Sequence, residues 1–441
     1  MHANRIILLL SAYMTAAPLM AQPAKPADKP SPQTPISSTV NEGLPRWLRF
    51  SGEERVRMEY PSGTGFVDVS DYYLMNRLRL DMQVRPLPWL QFQFEGQDAR
   101  VFEQTALPAP ASQKNAMDLR VGYLQIGTEE SSPLTVRAGR LPLSFGEGRV
   151  LADPGWSNVG RTFDAARLTL RGGPVKVDLF SGLLVKVDTM GCDQSTPGNH
   201  FHGAYGTVGQ IVPNSTIEPY LLWRLDHNYK NEAGQKGNLD EKTLGLRFAG
   251  KFRAVDWGLE VADQIGLNAG DRIHSWAGHW AAGYTLPSKR YRPRLFAELN
   301  RASGDANAHD ATRGGFDPLY PSTHDKLGLA DLFTWTNLVH FRGGLGWTLL
   351  PRVTAALAYD SYWLADAHDG VYCGGKLVAR SAAGTAGTHI GQEADLQAGW
   401  TPTRSTQFQA GYGRLIPGEF LHNTTAHVPY SIVFLNIAQR F

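Results

Sequence analysis

Long stretches of the chain alternate between apolar and polar residues. In YLMNRLRLDMQVR, residues 73–85, Leu78 lies between Arg77 and Arg79, and Leu80 follows. Successive side chains of a β-strand point to opposite faces, so this segment would have one apolar and one charged face. The same alternation returns in WLQFQFEGQ, IEPYLLWRLD, VDWGLEVADQ and IGQEADLQAGW. The pattern predicts a protein built of two-faced β-strands.

Two architectures use such strands. A soluble antiparallel sheet packs its apolar face on a core, whereas an outer-membrane barrel turns that face toward lipid. Three features favour the barrel: the apolar faces are single rows with few bulky interlocking positions, Trp and Tyr gather at segment ends, and the chain ends on an alternating segment with Phe441 last. Tight turns such as RPLPW and RGGPV also alternate with long polar loops, as periplasmic turns and extracellular loops do.

The predicted fold is all-β, a transmembrane antiparallel β-barrel of about 18 strands, or alternatively 16. The predicted strands are residues 48–60, 72–86, 89–100, 117–127, 133–141, 164–172, 174–185, 203–212, 216–228, 241–252, 254–266, 274–286, 292–303, 333–349, 352–364, 389–401, 404–416 and 430–441. Beyond the N-terminus, no apolar run approaches the roughly twenty residues that a membrane helix needs, which excludes a helical membrane protein.

The N-terminus predicts export from the cytoplasm. MHANRIILLLSAYMTAAPLMAQ has an early arginine, a short apolar core and a small residue, Ala21, at the expected cleavage site of a signal peptide. The next segment has proline at nearly every third position, which favours an extended chain. We therefore predict a signal peptide over residues 1–21, a Pro-rich periplasmic linker over 22–46 and a barrel in the bacterial outer membrane over 47–441.

The net charge and the absence of known motifs argue against nucleic-acid binding, catalysis and calcium binding. The net charge is +2, from 43 basic and 41 acidic residues, so nothing draws the whole chain toward nucleic acid. No G-x-S-x-G motif occurs, and the acidic segment 303–318 lacks the spacing of a calcium loop. The chain is predicted not to be an enzyme, with no catalytic residues, cofactor or metal.

Two cysteines, Cys192 and Cys373, lie in polar, glycine-rich segments. In an oxidising compartment they could form a disulfide, but two distant cysteines do not decide this. Cys192, His200 and His202 could also bind a metal, although a fourth ligand and a recognised spacing are both missing, which favours ordinary loop residues.

The polar faces of the predicted strands carry many arginines. A row of them in a barrel lumen would form a path for anions, because a guanidinium stays charged and binds carboxylates in pairs of hydrogen bonds. Acidic residues share the same faces, so any one arginine could instead pair across strands and stiffen the wall.

The chain resembles the alginate export family of outer-membrane porins. The motifs that carry the resemblance are RVRMEY, YYLMNRLRLDM, FEGQDARVF, GRLPLSFGEGRVLADPGWSNVGRTFDAARL, HGAYGT, LEVADQIG, LNRASGD, GGFDPLYPSTH, IGQEADL and GYGRLIPGEF. The resemblance implies an eighteen-stranded barrel that passes an anionic uronic-acid polysaccharide through an arginine-rich constriction. The lumen residues that it implies are Arg55, Arg57, Arg77, Arg79, Asp98, Arg100, Arg140, Arg149, Asn158, Arg161, Asp164, Glu260 and Glu393.

Within the longest motif, the stretch 139–164 contains a G-x-G with basic residues nearby, which looks at first like a nucleotide-binding loop. That interpretation fails because Pro154 and further glycines follow where a helix would have to open. We predict instead an inward-folded constriction loop with no catalytic role. The residues that would face one another inside the barrel are Arg140, Arg149, Asn158, Arg161 and Asp164.

The leading hypothesis is a passive, anion-selective outer-membrane channel for an alginate-like polyuronate. The alternatives are an uptake porin for small anions and a non-conducting receptor or adhesin barrel. The expected partners are an anionic polysaccharide or saccharide, outer-membrane lipid and lipopolysaccharide, the outer-membrane assembly machinery and periplasmic export partners.

Overall fold

The protein is a closed antiparallel β-barrel. The computed structural model describes residues 40–102, 106, 109–129, 131–288, 291–307 and 309–441. The strands are β1 Leu48–Ser62, β2 Tyr73–Leu87, β3 Leu90–Phe102, β4 Asn115–Ile126, β5 Leu134–Leu141, β6 Phe163–Gly172, β7 Val175–Lys186, β8 Gln194–Gly209, β9 Ser215–Lys230, β10 Lys236–Phe252, β11 Val255–Asn268, β12 Asp271–Thr285, β13 Arg294–Ala302, β14 Thr312–Arg313, β15 Leu338–Leu350, β16 Val353–Leu364, β17 Gly370–Cys373, β18 Lys376–Arg380, β19 His389–Trp400, β20 Thr406–Pro417 and β21 Tyr430–Arg440. Within the described chain, eighteen of these strands form the barrel, which β1 and β21 close by antiparallel pairing.

Each of the eighteen predicted strands corresponds to one barrel strand, so the prediction of a barrel of about 18 strands is confirmed and the alternative of 16 is wrong. The largest difference is in β8, which begins at Gln194 rather than near residue 203. Its first residues, QSTPGNHFH, do not alternate in hydropathy, so only pairing with β7 reveals the earlier start. Residues 1–39, which contain the predicted signal peptide and most of the linker, lie outside the described part of the chain.

The alternation read from the sequence separates the two faces of the wall. On β2, Leu80 is 44% exposed on the outer face, while Arg77 is only 4% exposed on the inner face. The outer face of the other strands likewise exposes Leu, Val, Phe and Trp, as a lipid-facing surface requires. None of the helices in the described residues has the length and apolar character needed to cross a bilayer.

The two ends of the barrel differ. At one end the connections are short, such as residues 88–89, 173–174, 253–254 and 351–352; β1 begins and β21 ends there. Short connections mark the periplasmic end of such barrels. Longer loops join the strands at the opposite, extracellular end, where they carry the β17–β18 hairpin and a short helix, Glu419–Thr424.

Two long loops enter the barrel and fill much of its lumen. We call residues 142–162, between β5 and β6, the first inward loop, and residues 303–337, between β13 and β15, the second inward loop. On the β6–β9 side the lumen is packed with aromatic rings, among them Phe145, Phe180 and Tyr205, with Phe145 stacked on Tyr205 at a centroid distance of 4.6 Å. A polar cavity remains beside this packed region, against the adjoining strands β2–β5.

Candidate functional site

The first inward loop is bound to the wall of the barrel by arginines of β1 and β2. Arg55 donates hydrogen bonds to the carbonyl oxygens of Gly155 at 2.7 Å and Ser157 at 3.0 Å. Arg57 donates to the Trp156 carbonyl at 2.5 Å, and Arg77 to the Ser157 carbonyl at 3.1 Å. These guanidiniums are buried because the loop backbone lies directly over them.

Asn158 completes this attachment. Its side chain is 1% exposed. The amide nitrogen donates toward the backbone carbonyls of Asn76 at 3.1 Å, Arg100 at 3.2 Å and Gln113 at 2.9 Å. Its oxygen accepts from Arg55 at 3.1 Å. One side chain therefore joins the loop to strands β2 and β3 and to the loop between β3 and β4.

The other side of the first inward loop reaches across the lumen to β10, β12 and β13. Arg149 lies 3.1 Å from the Asn300 amide oxygen and 3.2 Å from the His279 ring nitrogen. Glu147 pairs with Arg247 at 3.1 Å. Although burial acts in the opposite direction, the surrounding cations, Arg149 above all, hold the pKa of Glu147 well below its usual range. The loop therefore spans the barrel from wall to wall.

The two inward loops also bind each other. The Ala152 amide donates to the Tyr320 carbonyl at 2.8 Å, and Tyr320 donates back to the Val150 carbonyl at 3.0 Å, as in a short parallel bridge. The Trp156 indole lies parallel to the His324 ring with centroids 3.7 Å apart. We call this ring pair the latch.

The second inward loop is held to the remaining wall. The Ala330 amide donates to Glu393 of β19 at 2.8 Å, and the Leu329 amide donates to Asp395 at 3.0 Å. Arg342 of β15 donates to the Asp325 carbonyl at 2.6 Å. The two loops together form a crosspiece near the middle of the barrel.

A cavity of about 430 Å³ lies on the periplasmic side of this crosspiece, against β2–β5. Its walls carry inward side chains of neighbouring strands, and Asp153 of the first inward loop also lines it. Although burial opposes it, the guanidiniums of Arg120 and Arg79 hold the pKa of Asp153 below its usual value. The cavity is thus polar and its loop carboxylate is ionised.

The structure brings together one group of the residues implied by the family resemblance. Arg55, Arg57, Arg77 and Asn158 meet at the first inward loop, and Arg79 adds a 3.3 Å contact to the Val159 carbonyl. The others that point into the barrel are dispersed. They are Arg149 at the far wall, Arg161 against the Pro321 carbonyl, Glu260 under the Tyr220 hydroxyl, and Glu393 beneath the second inward loop.

Four of the implied residues are not in the lumen. Asp98 and Arg100 alternate with the buried Gln97 and Ala99, which places them on the outer face of β3, where they pair with each other at 2.7 Å.

Arg140 and Asp164 likewise lie on the outer faces of β5 and β6 and pair across the strands at 2.8 Å. The expectation that these two face Arg149 inside the barrel is wrong. Their neighbours Leu141 and Phe163 are buried on the inner face, and successive side chains of a strand point to opposite faces. The inward fold of the first inward loop itself is confirmed by its contacts with β1, β2, β12 and β13.

Two residues of the site, Arg120 and His324, are not identified by the sequence alone. Arg120 pairs with Glu95 at 2.5 Å and also with Asp153. A β-bulge lies here, because Glu95 pairs with Val121 while the next residue pairs with Leu119, so Arg120 has no opposite residue and turns inward. Counting back in twos from the inward Gln125 and Tyr123 would assign Arg120 to the outer face, whereas its apolar neighbours Leu119 and Val121 favour the inner face. His324 belongs to the latch through its contact with Trp156, which is far away along the chain.

The two cysteines do not form a disulfide. Cys192 is free and exposed in the loop between β7 and β8, and Cys373 is free and half-buried in β17. They lie in two separate extracellular loops. Burial raises the pKa of the Cys373 thiol to about 12, so this thiol is unreactive at neutral pH.

Solved structures of similar fold are outer-membrane porins of Pseudomonas aeruginosa. OpdQ has a TM-score of 0.62 at 11% identity, covering 89% of this chain and 98% of its own. OccK8 (OprE) has a TM-score of 0.60 at 12% identity, and OpdK with vanillate 0.60 at 10% identity; each match covers 89% of this chain and 98% of the other. No curated protein matches the chain.

The sequence itself matches a family model described as alginate export over residues 46–433. This match covers nearly all of the barrel. Together with the porin fold, it identifies an outer-membrane channel rather than an enzyme. The chain therefore belongs to the alginate export family of bacterial outer-membrane β-barrels.

Proposed function

We propose that the channel passes an anionic saccharide, an alginate-like polyuronate, by passive diffusion along the arginine-bearing wall formed by β1–β5. The observation that carries the proposal is the set of hydrogen bonds from Arg55, Arg57 and Arg77 to loop carbonyls. These guanidiniums already bind a row of oxygen atoms. Carboxylate oxygens of a polyuronate would form stronger, charge-assisted bonds with the same groups.

The first inward loop would then act as an occupant that the polymer displaces. Its carbonyls at residues 155–157 stand where carboxylates of the polymer would bind. Neighbouring acids limit how tightly any one site binds, since Glu53 already pairs with Arg77 at 2.5 Å and Glu95 with Arg120 at 2.5 Å. Weak sites in series are what conduction requires.

The test is conductance of the refolded protein in planar bilayers. We expect anions to permeate faster than cations, and polyuronate to block the current at concentrations where a neutral glucan of equal length does not. Cation preference, or equal block by the neutral polymer, would contradict the proposal.

A single substitution tests whether the arginines of this wall set the ion selectivity. Arg79→Gln should lower the anion-to-cation permeability ratio by about two-fold, because it removes one lumenal charge while keeping a hydrogen-bonding side chain. Arg253→Gln removes the same charge from a periplasmic turn and is the matched control. An equal effect of both variants would mean that overall charge, and not the wall, sets the selectivity.

Uptake of small anions is a second candidate. It is favoured by the crosspiece of the two inward loops, which leaves a cavity of only about 430 Å³ on its periplasmic side. A protein of similar fold was solved with vanillate, a small carboxylate. Permeation by monosaccharide acids without any block by polyuronate would favour this candidate.

A further inference from the structure

The periplasmic cavity is lined by amides as well as charges. Its charged lining residues are Arg79, Asp81, Arg85, Glu95, Arg120, Glu129, Arg137 and Asp153. Between them lie four glutamine side chains and the ring of Tyr123. Its volume of about 430 Å³ falls within the range of roughly 300–1,000 Å³ that is typical of small-molecule sites.

Most of these charges neutralise one another within the wall. Arg120 lies between Glu95 and Asp153, and Arg137 pairs with Glu129 at 2.6 Å. Four arginines face four carboxylates in the lining, so the cavity is balanced in formal charge. A site that bound anions by charge alone would need an excess of positive charge, which this lining lacks.

Two charged groups of the cavity, Asp81 and Arg85, have no ion-pair partner among the described residues. Each contacts an amide instead: Arg85 donates to Gln91 at 2.9 Å, and Asp81 accepts from Gln93 at 3.3 Å. They share one face of β2 with Gln83 between them, so successive side chains are spaced by roughly 6–7 Å.

The amides between these two groups form a continuous row. Gln83 and Gln91 both donate to the Gln93 side-chain oxygen, at 3.4 Å and 3.3 Å. The distances are long, so these contacts can be exchanged for a ligand at little cost. Amide side chains offer both donors and acceptors, which is what a hydroxyl group needs.

We infer that this cavity is a binding site for one sugar-acid unit, recognised by its hydroxyl groups as much as by its charge. The carboxylate would bind Arg85, the ring hydroxyls would bind Gln83, Gln93 and Asp81, and the ring would lie near Tyr123. This inference rests on the proposed function and adds to it: the site selects hydroxylated anions over plain ones at the periplasmic end of the path.

The test is calorimetric binding to the full-length protein refolded in detergent, with three probes. D-glucuronate has a carboxylate and ring hydroxyls. Methyl glucoside has only the hydroxyls, and acetate has only the carboxylate. We expect glucuronate to bind at least about tenfold more tightly than either of the others, since each lacks half of the contacts. Acetate binding as tightly as glucuronate would overturn the inference, as would stronger binding of glucosamine, whose ammonium would pair with Asp81.

Variants locate the site. Arg85→Gln and Gln93→Leu should each weaken glucuronate binding by about tenfold. Arg171→Gln is the control: this arginine also lies near the periplasmic end, but it contacts Thr135 and does not line the cavity. An equal loss in the control would contradict the site. The shift in electrophoretic mobility on heating checks that each variant forms a barrel.

The measurement separates this inference from the proposed function. Binding of glucuronate without polyuronate block would keep the site and reject the polymer channel. Polyuronate block without glucuronate binding would reject the site and keep the channel.

Discussion

A single amide, that of Asn158, anchors the first inward loop to three backbone carbonyls of the wall and its loops. Leaving a buried hydrogen-bonding group without its partner lowers the free energy of unfolding by about 1–3 kcal/mol. Arg55 also donates a hydrogen bond to the Asn158 side-chain oxygen, so both ends of the amide are held.

Asn158→Leu should therefore release the loop from this wall and lower the free energy of unfolding by about 1–3 kcal/mol. We expect faster trypsin cleavage within residues 149–161 and a larger single-channel conductance. Ser131→Ala, at an exposed periplasmic turn, is the control. Unchanged cleavage and conductance in Asn158→Leu would mean that the arginines alone hold the loop.

At the scale of elements, the latch joins the two inward loops and contains a titratable ring. Arg57 lies 3.8 Å from the centroid of the Trp156 indole, and His324 is stacked on the indole at 3.7 Å. The His324 ring contacts Asp331 at 2.6 Å and Asp325 at 3.3 Å. Burial alone would lower the pKa of His324, but the two carboxylates raise it above its usual value.

The sign of the pH effect follows from that raised pKa. The protonated imidazole is favoured in the folded loops, so its stabilising contribution is complete below about pH 6.5 and is lost as the pH rises through the raised value. We expect the loops to loosen and the conductance to increase on going from neutral to alkaline pH. His324→Gln should remove this pH dependence, as measured by bilayer recordings from pH 6 to 10.

Trp156→Ala tests the same latch without changing a charge. It should raise conductance at all pH values, since it removes the ring on which His324 stacks. Trp89→Ala, on the periplasmic turn between β2 and β3, is the control. If conductance is the same with and without Trp156, the latch does not hold the loops closed.

At the scale of the whole molecule, the barrel is closed at the seam between its first and last strands. Gly52 and Phe441 exchange two backbone hydrogen bonds, at 2.8 and 3.0 Å. A Cβ atom on Gly52 would lie 2.5 Å from the Phe441 ring and 2.7 Å from the Arg79 carbonyl. Glycine is therefore required for the close approach of the terminal aromatic residue.

Gly52→Val should destabilise the closed barrel by about 1–3 kcal/mol, the usual cost of overpacking. Gly96→Val is a matched control, because Gly96 lies in the same cross-strand row, through Leu80, and its Cβ would meet nothing within 4 Å. Urea unfolding of the refolded proteins compares the two. Equal midpoints would show that the seam tolerates a side chain at this position.

The sequence alone determined the strands, their number and the two faces of the wall, because a two-residue alternation is local and each strand displays it independently of its partners. It also indicated the inward faces of Arg55, Arg57, Arg77 and Arg79. The same alternation already placed Arg140 with Val136 and Ala138 on the outer face. Reliance on the family motif, instead of the strand parity, produced the wrong assignment.

Only the tertiary structure decided what fills the lumen. The bulge that turns Arg120 inward depends on the register between β3 and β4, and the latch joins residues 156 and 324, which no local pattern connects. Loops have no period from which their course could be predicted. Their position is decided by hydrogen bonds and ring contacts with strands and loops that are distant along the chain.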